Sequence, residues 1–172
     1  MDIGKSFTYM IKCNWEDGNQ AFLRHVCVDT LIIKDGKILL NQRGTFGGKK
    51  ILEYGKWSTI GGFVERDETL EEAVKREVKE ETAWTIKDLF LLRINDNPNR
   101  PKEDRQNFSF VFVASADVRN GESNDEEVLN LKWFDLNELP VAEDMAFDHL
   151  ENIELYKKWL QKKFSLPILG KI

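Results

Sequence analysis

Apolar residues along the chain fall into short blocks separated by polar turns, which predicts a mainly β protein interrupted by two helices. Residues 7–13 read as a first short strand, and 15–19 as a turn. The run 21–33, with Val26, Val28, Leu31, Ile32 and Ile33, reads as a strong strand. Asp35-Gly36 predicts a hairpin that returns along 38–43. Residues 44–50 form a Gly-rich basic loop without the spacing of a phosphate-cradling P-loop. Further strands are expected at 57–60, 89–94, 108–116 and 131–134, with polar loops at 95–106 and 121–127 and a tight turn or single helical turn at 136–140. Ile153, Tyr156, Leu160 and Phe164 recur at helical spacing and predict a helix over 148–164. Strands in this order with one central and one terminal helix suggest an α+β fold or αβα sandwich, not regular βαβ repeats.

The central helix is predicted from Thr69, whose Glu72 three residues on makes a capping box, through to Thr82. At about 100° per residue, Leu70, Ala73, Val74 and Val78 share one apolar stripe. Glu77 and Glu81 fall inside that stripe and Glu80 lies on its edge. Soluble helices keep carboxylates on the opposite face. Two like charges about 4 Å apart repel by roughly 4 kcal/mol at an effective dielectric near 20. Three carboxylates beside a core make sense around a hard divalent cation, which takes oxygen ligands from protein, water and substrate phosphates. The plainer alternative is a solvated acidic face interleaved with Lys75, Arg76 and Lys79.

With 172 residues, 41% hydrophobic and 32% charged, the chain has the balance of one soluble globular domain over 1–172, with 165–172 as a loose tail. A net charge of -5 offers no basic footprint, so nucleic-acid partners are not expected. The N-terminus shows no signal or acylation pattern, and the apolar runs are too short for a membrane, which points to the cytoplasm. Cys13 and Cys27 lack metal-ligand spacing and read as small buried hydrophobes.

The stretch 62–84 closely resembles the Nudix box, G-x5-E-x7-R-E-U-x-E-E-x-G-U, through Gly62, Glu68, Arg76, Glu77, Val78, Glu80 and Glu81. Residues 55–58, 133–140 and 146–149 also look like Nudix pieces. The resemblance implies a Nudix-like αβα sandwich, a mixed β-sheet between helices, with the box as a loop-helix-loop. It implies Mg²⁺, with Mn²⁺ as a substitute, bound by Glu77 and Glu81, by Glu80 directly or through water, and by the Gly61 carbonyl. Glu68 would pair with Arg76 and orient the site, or Arg76 would belong to an exposed Glu72-Arg76-Glu80 ladder; the two roles can coexist. Glu127 would supply a further ligand or general base, against a plain solvated acidic loop. Three positions depart from the pattern: Ile60 for Pro, Ala83 for Gly and Trp84 for an aliphatic residue. If the helix exit stays left-handed, Ala83 costs about 1 kcal/mol or more; otherwise the exit has another geometry.

Such a site suits attack of water on a pyrophosphate phosphorus, with cations neutralising phosphate charge and acidifying water and a carboxylate taking the proton. The 95–106 loop and Ala146-Phe147-Asp148-His149 look similar to the ADP-ribose pyrophosphatase branch. A small-molecule nucleoside diphosphate linked to a sugar is therefore the expected substrate. A triphosphate pyrophosphohydrolase clearing damaged nucleotides and a non-catalytic nucleotide-metabolite sensor are the alternatives. Arg43, Arg100 and Arg105 are candidates for phosphate or ribose contacts, and Phe46 and Phe108 for base stacking; each has a structural reading beside it. His149 reads as a packing or capping residue, and a homodimer is left open.

Overall fold

A computed structural model of the chain describes residues 11–100 and 107–170. Two short strands, β1 (Ile11–Asn14) and β2 (Gln20–Leu23), form a hairpin of their own. The expected 21–33 strand is therefore two elements, because the chain leaves the hairpin at Arg24-His25 before entering β3 (Val26–Lys34). The Asp35-Gly36 turn returns it along β4 (Lys37–Arg43), with both turn residues at positive φ as such a hairpin requires. The Gly-rich stretch is not a plain loop: β5 (Thr45–Phe46) and β6 (Lys49–Lys50) pair across Gly47-Gly48. After β7 (Trp57–Ser58) come helix α1 (Leu70–Thr82), β8 (Trp84–Asn95), β9 (Phe108–Arg119), β10 (Val128–Asp135), α2 (His149–Gln161) and β11 (Ile168–Leu169). The tail expected to trail off instead adds β11 in parallel to β8, with Ile168 opposite Arg93.

The main sheet runs β10-β4-β3-β9-β8-β11, with β7 paired to β4. The β3–β9 and β8–β11 pairs are parallel and the others antiparallel, so the sheet is mixed. Strand alternation sends Val28 and Ile32 to one face, where they meet Ala73, Val74 and Val78 of α1. Leu31, Ile38 and Leu40 point to the other face and meet Ile153, Leu155 and Tyr156 of α2. The sheet thus lies between two helices, the α+β sandwich expected from the element order. Among the described residues no helix is long and apolar enough to cross a membrane.

Helix α1 starts as its sequence dictates: the Thr69 hydroxyl accepts from the Glu72 N–H (3.3 Å), and the Glu72 carboxylate accepts from the Thr69 N–H (2.8 Å). It ends at Ala83, which is left-handed (φ 60, ψ 10) and donates its N–H to the Lys79 carbonyl. The turn geometry of the missing glycine is kept, at the cost of a strained alanine. Trp84 then packs edge-on against Trp133 (5.9 Å) under the Lys34 ammonium (4.5 Å), so the exit carries an aromatic plug.

Ala83→Gly relieves about 1–2 kcal/mol of left-handed strain and loses a buried methyl worth about 0.8 kcal/mol. Urea denaturation should show it neutral to about 1 kcal/mol more stable, whereas β-branched Ala83→Val should lose stability. A destabilised Ala83→Gly would contradict the left-handed exit.

Candidate active site

Strands β3 and β4 pair only near their hairpin, over Ile32–Lys34 and Lys37–Leu39. Beyond that point they part. The Val28 and Thr30 N–H groups of β3 donate to the Gly62 (2.9 Å) and Ile60 (2.7 Å) carbonyls, while β4 pairs instead with β7, its other edge being held throughout by β10. The 57–64 segment crosses from one strand to the other, and a cavity of ≈ 460 Å³ opens beside the crossing. Gly61 is required there: its φ is 154, and a Cβ would strike the Val28 carbonyl. With Ile60 and Gly62 turned toward β3, the Gly61 carbonyl faces away from it.

One wall of the cavity is the C-terminal half of α1. Glu81 is 5% exposed, and one of its oxygens accepts from Asn41 Nδ2 (2.7 Å). Asn41 in turn accepts from the Ser58 hydroxyl, so β4 and β7 present polar groups exactly where the helix stripe turns acidic. Glu77 packs its carboxylate over Gly62, where a Cβ would sit 2.7 Å from its Cδ. Burial raises the Glu81 pKa well above the usual carboxylate value, and Glu77, Asp125 and Glu127 add to the rise. Burial also raises Glu77, although Arg76 opposes it.

Arg76 binds this wall together. Its Nε and Nη2 form a fork on Glu68 (3.0 and 2.8 Å), Nη2 also donates to the Phe63 carbonyl (3.0 Å), and Nη1 reaches Glu77 (2.8 Å) and Glu80 (3.1 Å). The fork on Glu68 is the main reason the Arg76 pKa rises, and it lowers that of Glu68. Of the expected Glu72-Arg76-Glu80 ladder only the Arg76–Glu80 rung stands beside the Glu68 pairing, because the Glu72 carboxylate is taken by the Thr69 N–H and hydroxyl at the helix start. Among the described residues no three His, Cys, Asp or Glu side chains stand gathered as an ion-holding group. Arg76 draws Glu77 and Glu80 toward itself, and Asn41 holds Glu81. The donor chemistry nonetheless fits a hard divalent cation: the side chains offer oxygens, and burial makes charge on Glu77 and Glu81 costly, a cost that a cation would remove.

The opposite wall carries Arg43, Phe46, Phe147, Asp29, Arg100 and His149. Arg43 donates to the Leu52 carbonyl (2.7 Å) and lies 5.0 Å over the Phe147 ring. Phe147 itself sits at φ 49, an unusual conformation for a bulky residue. Phe46 is 67% exposed at the rim. Its hairpin is pinned by Glu126, whose carboxylate accepts from the Gly47 N–H (2.6 Å). Glu127, the neighbour, lies on the cavity wall instead.

The structure brings most of the expected residues to this one cavity. Gly61, Arg76, Glu77, Glu80, Glu81 and Glu127 line it, as do Arg43, Phe46 and Arg100, while Glu68 acts from behind through Arg76. Two expectations change. Arg100 is not poised for phosphate: it is buried and forked on Asp148 (2.6 and 3.0 Å), with its third nitrogen on Ser109 (3.0 Å). Phe108 is off the cavity wall, 5.5 Å from Phe110 and under the Arg24 guanidinium. Arg105 lies outside the described residues. Sequence reasoning did not single out Asp29, Thr59 or Ser109, noted Phe147 only within the 146–149 segment, and read His149 as a packing or capping residue. The available signal was a single carboxylate, Asp29, in a strand whose other residues are mainly apolar.

A mixed sheet between two helices, parted over a carboxylate helix tied by one arginine, is the frame of a phosphoanhydride hydrolase. The chain belongs to the Nudix family, matching the NUDIX domain over residues 23–156, and is a Nudix pyrophosphohydrolase. It is 41% identical to an ADP-ribose pyrophosphatase of Methanocaldococcus jannaschii, over 78% of this chain and 73% of that protein. Its fold is similar to that of a UDP-X diphosphatase (TM-score 0.68, 26% identity, covering 86% of this chain and 67% of that one). It is also similar to the NUDIX domain of Shewanella oneidensis NrtR complexed with ADP ribose (TM-score 0.64, 26% identity, covering 80% and 89%).

Because the folded pKa of Glu81 is raised above its ordinary 4.5, the unfolded chain releases this proton first as pH rises, and stability falls through that window. In metal-free protein at pH 7, Glu81→Gln should therefore melt at a higher temperature than the wild type, and the difference should vanish below about pH 4.5. An equal melting temperature at pH 7 would mean Glu81 carries no such cost. Separately, Asp148→Ala leaves Arg100 buried without its partner and should cost about 3–5 kcal/mol in urea denaturation; a loss under about 1 kcal/mol would mean the pair is not a structural tie.

Proposed function

We propose that the protein hydrolyses the pyrophosphate bond of a nucleoside diphosphate linked to a sugar, with ADP-ribose as the first choice and Mg²⁺, or Mn²⁺ in its place, as the cofactor. One observation carries the reading: a single cavity sets the half-buried Glu77 and the buried Glu81 against a wall of Arg43, Phe46 and Phe147. That pairing suits a ligand with a flat ring at one end and phosphates in the middle. The identity to an ADP-ribose pyrophosphatase supports the same substrate class.

Glu77, Glu81 and the Gly61 carbonyl would hold the cation, with Glu80 helping directly or through water. When bound, the cation supplies charge neutralisation at the phosphates and a lowered pKa for water. Arg76 keeps Glu77 and Glu80 in place and is itself kept by Glu68. Arg43, held by the Leu52 carbonyl on the cavity wall, is the cation that would meet phosphate oxygens. Phe46 at the rim and Phe147 deeper in present ring faces to the base. Glu127 takes the proton of the attacking water as the new O–P bond forms and the bridging O–P bond breaks. The products are a nucleoside monophosphate and a sugar phosphate.

Purified protein with Mg²⁺ or Mn²⁺ should convert ADP-ribose to AMP and ribose 5-phosphate. Glu77→Gln should lower kcat by about 100-fold or more and weaken the rise in melting temperature that the cation produces. A panel of nucleotide sugars and triphosphates with no metal-dependent release of any monophosphate would refute the hydrolytic reading. Release from triphosphates alone would move the substrate to that class.

A further inference from the structure

The wall away from α1 holds a polar network that hydrolysis of a pyrophosphate does not need. Asp29 on β3 is 7% exposed and His149 at the start of α2 is 5% exposed, and both line the cavity. Asp29 Oδ2 accepts the Ser109 hydroxyl (2.7 Å). Ser109 has one proton to give. With it spent on Asp29, its oxygen accepts from Arg100 Nη1 (3.0 Å) and from the Cys27 thiol (2.8 Å). Asp148 holds Arg100 from behind (2.6 Å). These bonds fix the Asp29 carboxylate and leave Oδ1 turned toward His149.

The other partner is equally constrained. His149 Nδ1 accepts the Thr59 backbone N–H (3.1 Å), so the neutral ring carries its proton on Nε2. Burial lowers the His149 pKa and so favours that neutral ring; Arg100 and Arg43 act in the same direction, against Asp29 and Asp148. His149 Nε2 stands 3.6 Å from Asp29 Oδ1, too far for a hydrogen bond. A donor and an acceptor of two buried residues thus stand side by side at the cavity, each oriented by other bonds and not bonded to each other. A phosphate oxygen would meet a negative charge at Asp29. A hydroxyl satisfies both groups, donating to Oδ1 and accepting from Nε2.

We propose that Asp29 and His149 form the subsite for the sugar of the substrate, gripping one ring hydroxyl between Oδ1 and Nε2–H, and that Asp29 is a specificity-determining residue favouring a sugar-linked diphosphate over an acyclic or triphosphate one. For its link to turnover this rests on the pyrophosphatase reading above. Its test does not, because the sugar half can be offered alone.

Isothermal titration calorimetry of the full chain compares ribose 5-phosphate with tetrahydrofurfuryl phosphate, the same ring phosphate without its hydroxyls. The wild type should bind the ribose compound about tenfold or more tightly, and Asp29→Asn, which turns the acceptor into a donor while sparing the Ser109 contact, should abolish the preference. His149→Gln, which draws the donor back, should reduce it, and serves if Asp29→Asn fails to fold. Equal wild-type affinity for the two compounds, or binding of neither, overturns the proposal and means that water alone occupies the gap. A preference that survives in the folded variants also overturns it, since the hydroxyls are then read elsewhere. Metal-dependent cleavage of ADP-ribose in the same preparations reports separately on the pyrophosphatase reading, so either can fail without the other.

Discussion

The site depends on one guanidinium. Arg76 ties the 61–68 loop to α1 through Glu68 and the Phe63 carbonyl, and the same side chain neutralises Glu77 and Glu80. Without a cation in the middle, three carboxylates within a turn of helix repel one another and would push the loop from the helix. A planar fork with several fixed donors can satisfy a carboxylate side-on while reaching two others, and a lysine ammonium cannot. The arginine therefore holds the acidic wall in register with Gly61 and Gly62, and glycine at both positions lets the loop lie close enough for that register to matter.

A second constraint sets where the cavity is. β3 and β4 stay paired for only a few residues, and the gap left by their parting is filled by the 57–64 crossing segment. Sheet alternation puts Asn41 on the α1 side, facing Glu81, while Cys27, Asp29 and Ser109 lie on the α2 side with Arg100 and Asp148. Both polar sets reach the same opening because the sheet is split there. An intact sheet would have kept them on opposite faces.

Local signals carried far along the chain. The capping box of α1, the Asp35-Gly36 hairpin and the apolar stripe interrupted by Glu77 and Glu81 all depend on residues within a few positions of each other, and all three stand in the structure. Long-range pairings were not legible. β11 forms because Ile168 and Leu169 find the open edge of β8, and nothing in an eight-residue tail with Pro and Gly announces that edge. Arg100 reads in sequence as a loop arginine available for phosphate. In the structure Asp148, 48 positions away, takes its fork.

The sequence by itself determined the chemistry: the oxygen-rich helix face, its arginine, the glycines of the loop and the family they belong to. Spacing in a helix converts directly into proximity, so those residues could be placed together before any fold was known. Only the tertiary structure decided what faces that helix. Asp29, Ser109 and His149 come from two strands and the start of α2, and 80 or more positions separate Asp29 from either of the others. Their meeting follows from sheet order and from the parting of β3 and β4, which are properties of the packed whole and leave no periodic trace in the chain.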